Sequence, residues 1–560
     1  MTDEGDKDVD RGAGDEVDRD VSDQIEYGID DRPPLGESTV LGIQHYLTMV
    51  GANIAVPLIL ASAMEMPADV TAQFIGTFFV VSGIATLAQT TFGNRYPIVQ
   101  GAPFSMLAPA LAIIAVVTAG GVGGAGTDWQ AALLQLQGAI IVAAAVQVAM
   151  GYFGLVGKLQ RFLSPVVIAP TIALIGLALF DAPQITTVDQ SWWLLGLTLV
   201  LIVLFSQYLD LKHKAFRLYP VILAISIAWI AAAALSVDGT FGPVSIGPIE
   251  LGPITIDGVL SGDHPGYVPL GEVTDTSLLL PIYPFQWGTP EITTAFIIGM
   301  FAGVLASIVE SIGDYYAVAN MTGSGAPSEK RINHGIGMEG VMNVFSGIMG
   351  TGGSTSYSEN VGAIGLTGVA SRYVVQIGAA VMLVVGFVGY FGQLIATIPD
   401  PIVGGLFIAM FAQIVAVGIS NLKHVDLDSS RNVFVIGFAL FVGLAIPEYM
   451  ANFGSTLEFR DAVALEATLA PLLEADVIAG TVVAASLEAA MQALVDTVFI
   501  IGSTGMAVGG LAALVLDNTI PGSREERGLA EWDRLTEDDA EFETFWERWT
   551  GSDADTDRRN

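Results

Sequence analysis

Mainly apolar stretches, each long enough to cross a bilayer, recur from residue 38 to residue 516 and leave little chain between them for any other kind of fold. A helix spans the hydrocarbon with roughly 20 such residues; segments 194–209, 220–235, 374–395 and 433–446 are among many candidates. Charged side chains make up only 14% of the chain, against about 25% in soluble domains. Punctuation by Gly, Pro and charge divides the stretches into fourteen expected spans. An even number places both termini on one side.

Basic residues test the count, because Lys and Arg gather in cytoplasmic loops. Arg95, Lys158 with Arg161, and Lys212, Lys214 and Arg217 fall in alternate loops of the first half. Lys330 with Arg331, Arg372, and Lys423 with Arg431 continue the alternation in the second, and Arg460 alone breaks it. All the alternating loops lie on the side of the termini, so an N-in, C-in protein of the cytoplasmic membrane is expected. Residues 1–36 carry thirteen acidic and four basic side chains and read as a disordered, solvated tail; residues 520–560, with thirteen acidic and six basic, read as an acidic cytoplasmic tail. The net charge of −35 with only 22 Lys and Arg suggests adaptation to high salt. The absence of cysteine excludes disulfides, thiolate metal sites and thiol catalysis.

The connection 237–290 holds no Lys or Arg and reads as an extracellular loop of short strands. It separates two sets of seven spans, 37–236 and 291–519, and an odd number per half makes the halves inverted repeats, a transporter signature. The third span of each half departs from helix-forming sequence. Residues 97–105 carry Pro97 and Pro103, and residues 350–359 are rich in Gly and hydroxyls. Such backbone is tolerated at membrane depth only inside protein or along a cavity, so each segment is expected to be extended and then to start a half-helix that offers free N–H groups to a ligand. The fold class expected is therefore an all-α polytopic membrane protein with extended segments and half-helices in spans three and ten.

Intramembrane acids are functional candidates because their burial is costly. Glu310 and Asp314, four residues apart, share a helical face in the eighth span, and Glu359 opens the tenth. Gln44, His45 and Asn53 are the polar groups of the first span; Phe104 could stack on a planar ligand. The alternatives are a helix cap for Glu359, a bracing role for Asp314 and a structural hydrogen bond for His45.

Ser358, Glu359, Asn360, Gly362, Thr367 and Gly368 together resemble the signature of the nucleobase–ascorbate (nucleobase:cation symporter 2) family, Q/E/P-N-x-G-x-x-x-x-T-R/K/G, at every specified position. Gln44 with His45, the segment 310–316, and the segments 517–522 and 525–529 resemble further motifs of that family, in order. The resemblance implies a core of spans 1–4 and 8–11, a gate of spans 5–7 and 12–14, homodimers, and elevator-like displacement of the core. It implies Glu310 and Glu359 as binding acids, Phe104 as the ring-packing aromatic, Tyr357, Ser358 and Asn360 as further binding residues, and His45, Asp314 and Gln44 as coupling residues. Gly362, Thr367 and Gly368 complete the signature. Asp314 stands where some bacterial members have His, and Gly368 where a basic residue is commoner.

The function expected is symport of a nucleobase with H+ or Na+, uracil ahead of xanthine or uric acid. A sulfate- or bicarbonate-like anion exchanger of the same architecture is disfavoured by two acids facing the ligand, and an ascorbate-type carrier by Glu359, where the animal ascorbate carriers have Pro. The chain offers no Cys, no paired His at ligand spacing and no phosphate-cradling loop to support an enzyme. Lipid is the expected surrounding; no cofactor, resident metal or nucleic-acid partner is expected.

Overall fold

The computed structural model describes residues 25–118, 128–156, 164–463 and 482–529, apart from short breaks, and most of 542–547. Lys158, Arg161, Lys214 and Arg217, counted above in the basic loops, lie outside the described residues, as do the first 24 positions of the acidic N-terminal tail.

The main helices of the first half are α1 (Leu35–Ala63), α2 (Ala68–Thr91), α3 (Leu107–Thr118), α4 (Trp129–Tyr152), α5 (Pro165–Leu177), α6 (Trp192–Val203) and α7 (Pro220–Ser236). Those of the second half are α8 (Thr294–Thr322), α9 (Glu329–Met349), α10 (Ser358–Thr367), α11 (Arg372–Phe387), α12 (Gly389–Ala396), α13 (Asp400–Ser420), α14 (Ser430–Met450), α15 (Val482–Gly502) and α16 (Gly505–Thr519). Among the described residues five helices are long and apolar enough to cross a membrane, or seven if each sharply bent pair counts as one span; one such pair, the end of α15 with α16, bends by 97°. Several others are apolar but short, α3 and α5 among them. Length alone therefore falls short of the expected fourteen, because the chain breaks helices where Gly, Pro or hydroxyl residues allow it.

By what they pack against, the helices sort into two lobes. In the first, α4 packs on α9, α2 on α11 and α12, and α1 on α11; in the second, α13 packs on α5 and α6, and α14 and α16 pack on each other and on α5. Close approach in the first lobe rests on small residues, since lipid supplies no hydrophobic drive between helices. A Cβ on Gly76 would lie 2.5 Å from the Gly386 carbonyl oxygen, and one on Gly378 would lie 2.5 Å from that of Gly42.

Two-residue strands β1 (Gln100–Gly101) and β6 (Thr355–Ser356) occur where the sequence breaks spans three and ten. They pair with each other, antiparallel, with Gln100 opposite Ser356 and Gly101 opposite Thr355. Opposite directions are what two inverted repeats require when their equivalent segments meet. Within the long connection, β2 (Gly239–Phe241) pairs with β5 (Ile254–Ile256), and β3 (Val244–Ile246) with β4 (Ile249–Leu251), the short strands read from its Gly/Pro spacing.

Polar side chains hold the ends of the elements. Ser328 and Ser371 cap α9 and α11 by accepting from the backbone N–H groups of Arg331 and Val374. Asp517, fully buried near the end of α16, accepts from Ser164, Arg431 and Arg527 at 2.6–2.9 Å. Arg460, the exception to the charge alternation, forms a bidentate pair with Asp496 of α15. The described part of the N-terminal tail is not simply solvated: the N–H groups of Ala370 and Arg372 bond to the carbonyls of Tyr27 and Ile29, and the Arg372 guanidinium bonds to Asp30 at 2.6 Å.

Candidate functional site

The crossing of β1 and β6 brings the two half-helices, α3 and α10, to one place. Three further bonds fix the crossing: Tyr357 N–H to the Val99 carbonyl, Val99 N–H to Asn360 Oδ1 at 3.0 Å, and the Tyr357 hydroxyl to the Ala102 carbonyl at 2.9 Å. Asn53 of α1 accepts the Ala102 N–H at 3.0 Å and the Ser82 hydroxyl at 3.1 Å. Its Oδ1 thus anchors the backbone after β1, while its Nδ2 is buried without a hydrogen-bond partner among the described residues.

Gly101 is required by this geometry. A Cβ there would lie 2.5 Å from Cζ of Tyr357, a ring that its own hydrogen bond holds in place. Gly101→Ala is expected to open the crossing at a cost of about 1–3 kcal/mol, the usual penalty of overpacking. A lowered thermal midpoint that Tyr357→Ala partly restores would bear this out; an unchanged midpoint would show that the ring can move aside.

Asp314 of α8, 4% exposed, accepts the Ser356 hydroxyl on one carboxylate oxygen at 2.5 Å and the Ser358 hydroxyl on the other at 2.6 Å. It therefore bridges β6 and the first residue of α10, which unites the bracing role with proximity to the site. His45 of α1, 1% exposed, meets the Asn360 side chain at 2.9 Å through Nδ1. Gln44 precedes it, half-buried, with its side-chain amide nitrogen unpaired among the described residues. Glu310 lies one turn before Asp314 on α8, half-buried, beside Val309, which packs on Ile168 and Ile172 of the other lobe. Phe104, 5% exposed in the turn before α3, meets Phe411 of α13 edge-on at 6.4 Å. Phe104 thus lies where the lobes face each other, and Glu310 is one residue along α8 from another such contact. Glu359 occupies the second position of α10; its side chain lies outside the described residues.

Gly362 lies within α10. Gly368 ends that helix in the left-handed conformation, φ 71°, which glycine adopts without strain, and its carbonyl accepts the N–H groups of Glu26 and Tyr27. The Thr367 hydroxyl accepts the Val369 N–H. The end of the signature is thus a helix stop and a mooring for the N-terminal segment, and it takes no part in the crossing.

Sequence reasoning missed Glu339 of α9. It is 1% exposed and accepts from Gln147 at 3.0 Å, Ser307 at 2.8 Å and Ser311 at 2.5 Å. The Ser307 hydroxyl also lies within hydrogen-bond distance of the Thr355 hydroxyl, at 2.8 Å, and the Ser356 hydroxyl reaches Ser311 at 3.0 Å. A chain of hydroxyls therefore joins Glu339, behind β6, to Asp314 beside it. The signal was available, since Glu339 is an acid inside the expected ninth span, 335–349. Among the described residues no group of three or more His, Asp or Glu could hold a metal ion. What the arrangement offers instead is carboxylates, hydroxyls, an imidazole and helix N-termini around a small polar ligand.

The profile of the permease family matches residues 36–451. Solute carrier family 23 member 2 of Mus musculus is 38% identical over 541 residues, covering 90% of this chain and 76% of the mouse protein. Nucleobase-ascorbate transporter 12 of Arabidopsis thaliana is 33% identical over 520 residues, covering 90% of this chain and 71% of the plant protein. Among solved structures, the transmembrane domain of a cyanobacterium bicarbonate transporter, BicA, aligns with a TM-score of 0.50 at 16% identity, over 74% of this chain and 97% of that one. At that identity the likeness concerns the fold alone.

Proposed function

The chain belongs to the nucleobase–ascorbate transporter family and is a multi-pass membrane transporter, and from that premise we propose that it carries a nucleobase, in symport with H+ or Na+, between the two lobes. The antiparallel meeting of β1 and β6 beside Asp314 and Ser358 carries this reading. Uracil and oxopurines present alternating N–H donors and carbonyl acceptors along one edge. Carboxylates of Glu310 and Glu359 take the N–H groups, the first N–H groups of α10 donate to a carbonyl, and Phe104 covers the ring face. An anion has no comparable use for two carboxylates, and the bicarbonate transporter shares only the architecture with this chain.

Coupling follows if the cation binds among His45, Gln44, Asp314 and the hydroxyls around it. Its arrival then steadies β6 and the start of α10 and raises affinity for the ring, and the reciprocal effect is required by linkage. The first lobe, as a core, would then shift past the second, as a gate, in the elevator manner, within a homodimer in the cytoplasmic membrane.

The test is uptake of radiolabelled uracil, xanthine and ascorbate into lipid vesicles containing the protein, with proton or sodium gradients imposed separately. Accumulation of uracil or xanthine driven by one gradient supports the reading and names the ion. Accumulation of ascorbate alone, or of none of the three, rejects it.

A further inference from the structure

The N-terminal segment joins the two interrupted spans from one side. Residues 26–29 run parallel beside 368–372, the link between α10 and α11. The N–H groups of Glu26 and Tyr27 donate to the Gly368 carbonyl at 2.7 and 3.2 Å, Tyr27 pairs with Val369, and the Tyr27 and Ile29 carbonyls accept from Ala370 and Arg372. The Ser371 hydroxyl adds a bond to the Asp31 carbonyl at 2.6 Å. Asp30 then reaches further. One of its carboxylate oxygens accepts from Arg372 at 2.6 Å and lies 3.6 Å from the Arg95 guanidinium. Arg372 opens α11, just after the signature ends, and Arg95 lies between α2 and β1. One carboxylate thus ties the chain that leaves α10 to the chain that enters β1. Both guanidinium groups are buried, 7–8% exposed, so they depend on near neighbours rather than on water for counter-charge. Arg95 also donates to the Glu543 carbonyl at 2.8 Å, so the two tails meet at this arginine.

We propose that residues 26–31 position α10 for the ligand, with Asp30 as the positioning residue. This rests on the nucleobase reading above, which places Glu359 and the first N–H groups of α10 at the ring. Helix α10 has ten residues, a length of about 15 Å, and packs chiefly on α1 and α8. A helix so short moves as one body, and what holds its ends sets where its first turn stands. Asp314 and the bonds of Tyr357 hold the first end. The N-terminal segment holds the other. Val369 adds a second route, since its backbone faces the His45 imidazole, whose Nδ1 meets Asn360. Loss of the mooring leaves part of the population with α10 displaced, and apparent affinity falls in proportion to the fraction still in place. The movement that follows binding is untouched, because the bound ligand has already selected the positioned form.

The test compares, in lipid vesicles, the parent with Asp30→Asn, Asp30→Glu, a deletion of residues 2–32 and a deletion of residues 2–24 that spares every contact above. Amide exchange without substrate is read at Asn360 and Val361, whose N–H groups bond to the Tyr357 carbonyl, and at 368–372; KM and maximal rate of uptake are read beside it. Expected for Asp30→Asn and the longer deletion are about tenfold faster exchange at both places and a KM raised about tenfold, with the maximal rate per folded molecule within about twofold of the parent. Asp30→Glu, which keeps the charge, and the shorter deletion are expected to stay close to the parent. Faster exchange confined to 368–372 would show a segment that is moored without positioning the helix, and a KM that does not rise would show that the ligand is indifferent to it; either overturns the proposal. So does a maximal rate that falls at unchanged KM, the mark of lost folding alone. If the parent takes up no base, the nucleobase reading is rejected, and exchange at Asn360 and Val361 by itself decides whether the segment positions α10.

Discussion

Glu310→Gln and Glu359→Gln are each expected to lower uptake efficiency about 10- to 100-fold, and together to bring it below detection. A hydrogen bond to a charged acceptor contributes about 1.5–3 kcal/mol, and each 1.4 kcal/mol is tenfold in affinity. Glutamine keeps the shape but turns one acceptor oxygen into a donor that faces the N–H of the ring. Glu310 is only half-buried on α8, so its exchange for an isostere is expected to leave the protein folded, which a preserved thermal midpoint checks. Uptake that persists in the double variant would remove these acids from the binding role and direct attention to Asp314 and Glu339.

Asp517→Ala is expected to destabilise the protein by about 3–5 kcal/mol, the range for removing one partner from a buried ion pair. The carboxylate is fully buried and joins Arg431, 9% exposed, Arg527, 15% exposed, and the Ser164 hydroxyl at the start of α5. Removal takes from Arg431 and Arg527 the buried carboxylate they share, and it unties α5, α14 and α16 at one point. A denaturation midpoint in detergent reads the loss. A shift no larger than that of a surface pair, about 1 kcal/mol or less, would mean that water reaches the arginines and that the carboxylate is dispensable.

Most of what the first span reading sought depends on local composition, and that part was legible. The breaks at 97–105 and 350–359 follow from proline, glycine and hydroxyl content, and β1 and β6 occur within them. Asp314 stood out because an acid in an apolar run is expensive wherever the run packs. The same cost marks Glu339 inside the ninth span, whereas its partners Gln147, Ser307 and Ser311 lie on two other helices and are not legible from the local sequence. Asn53 and Gly368 also serve the backbone, Asn53 by accepting from Ala102 and Gly368 by ending α10 at φ 71°, and such service shows only when the partner segment is in place.

The sequence alone determined that this chain belongs in a membrane, that its two halves carry matched interruptions, and that acids and an imidazole stand near them, because hydropathy, helix breaking and the cost of a buried charge are properties of short segments. Only the tertiary structure decided that the interruptions pair with each other, that Asp314 and Glu339 share one run of hydroxyls, and that both tails meet at Arg95. Those contacts join residues from 28 to 448 positions apart, and their energy is gained only after the chain entropy of bringing distant segments together has been overcome.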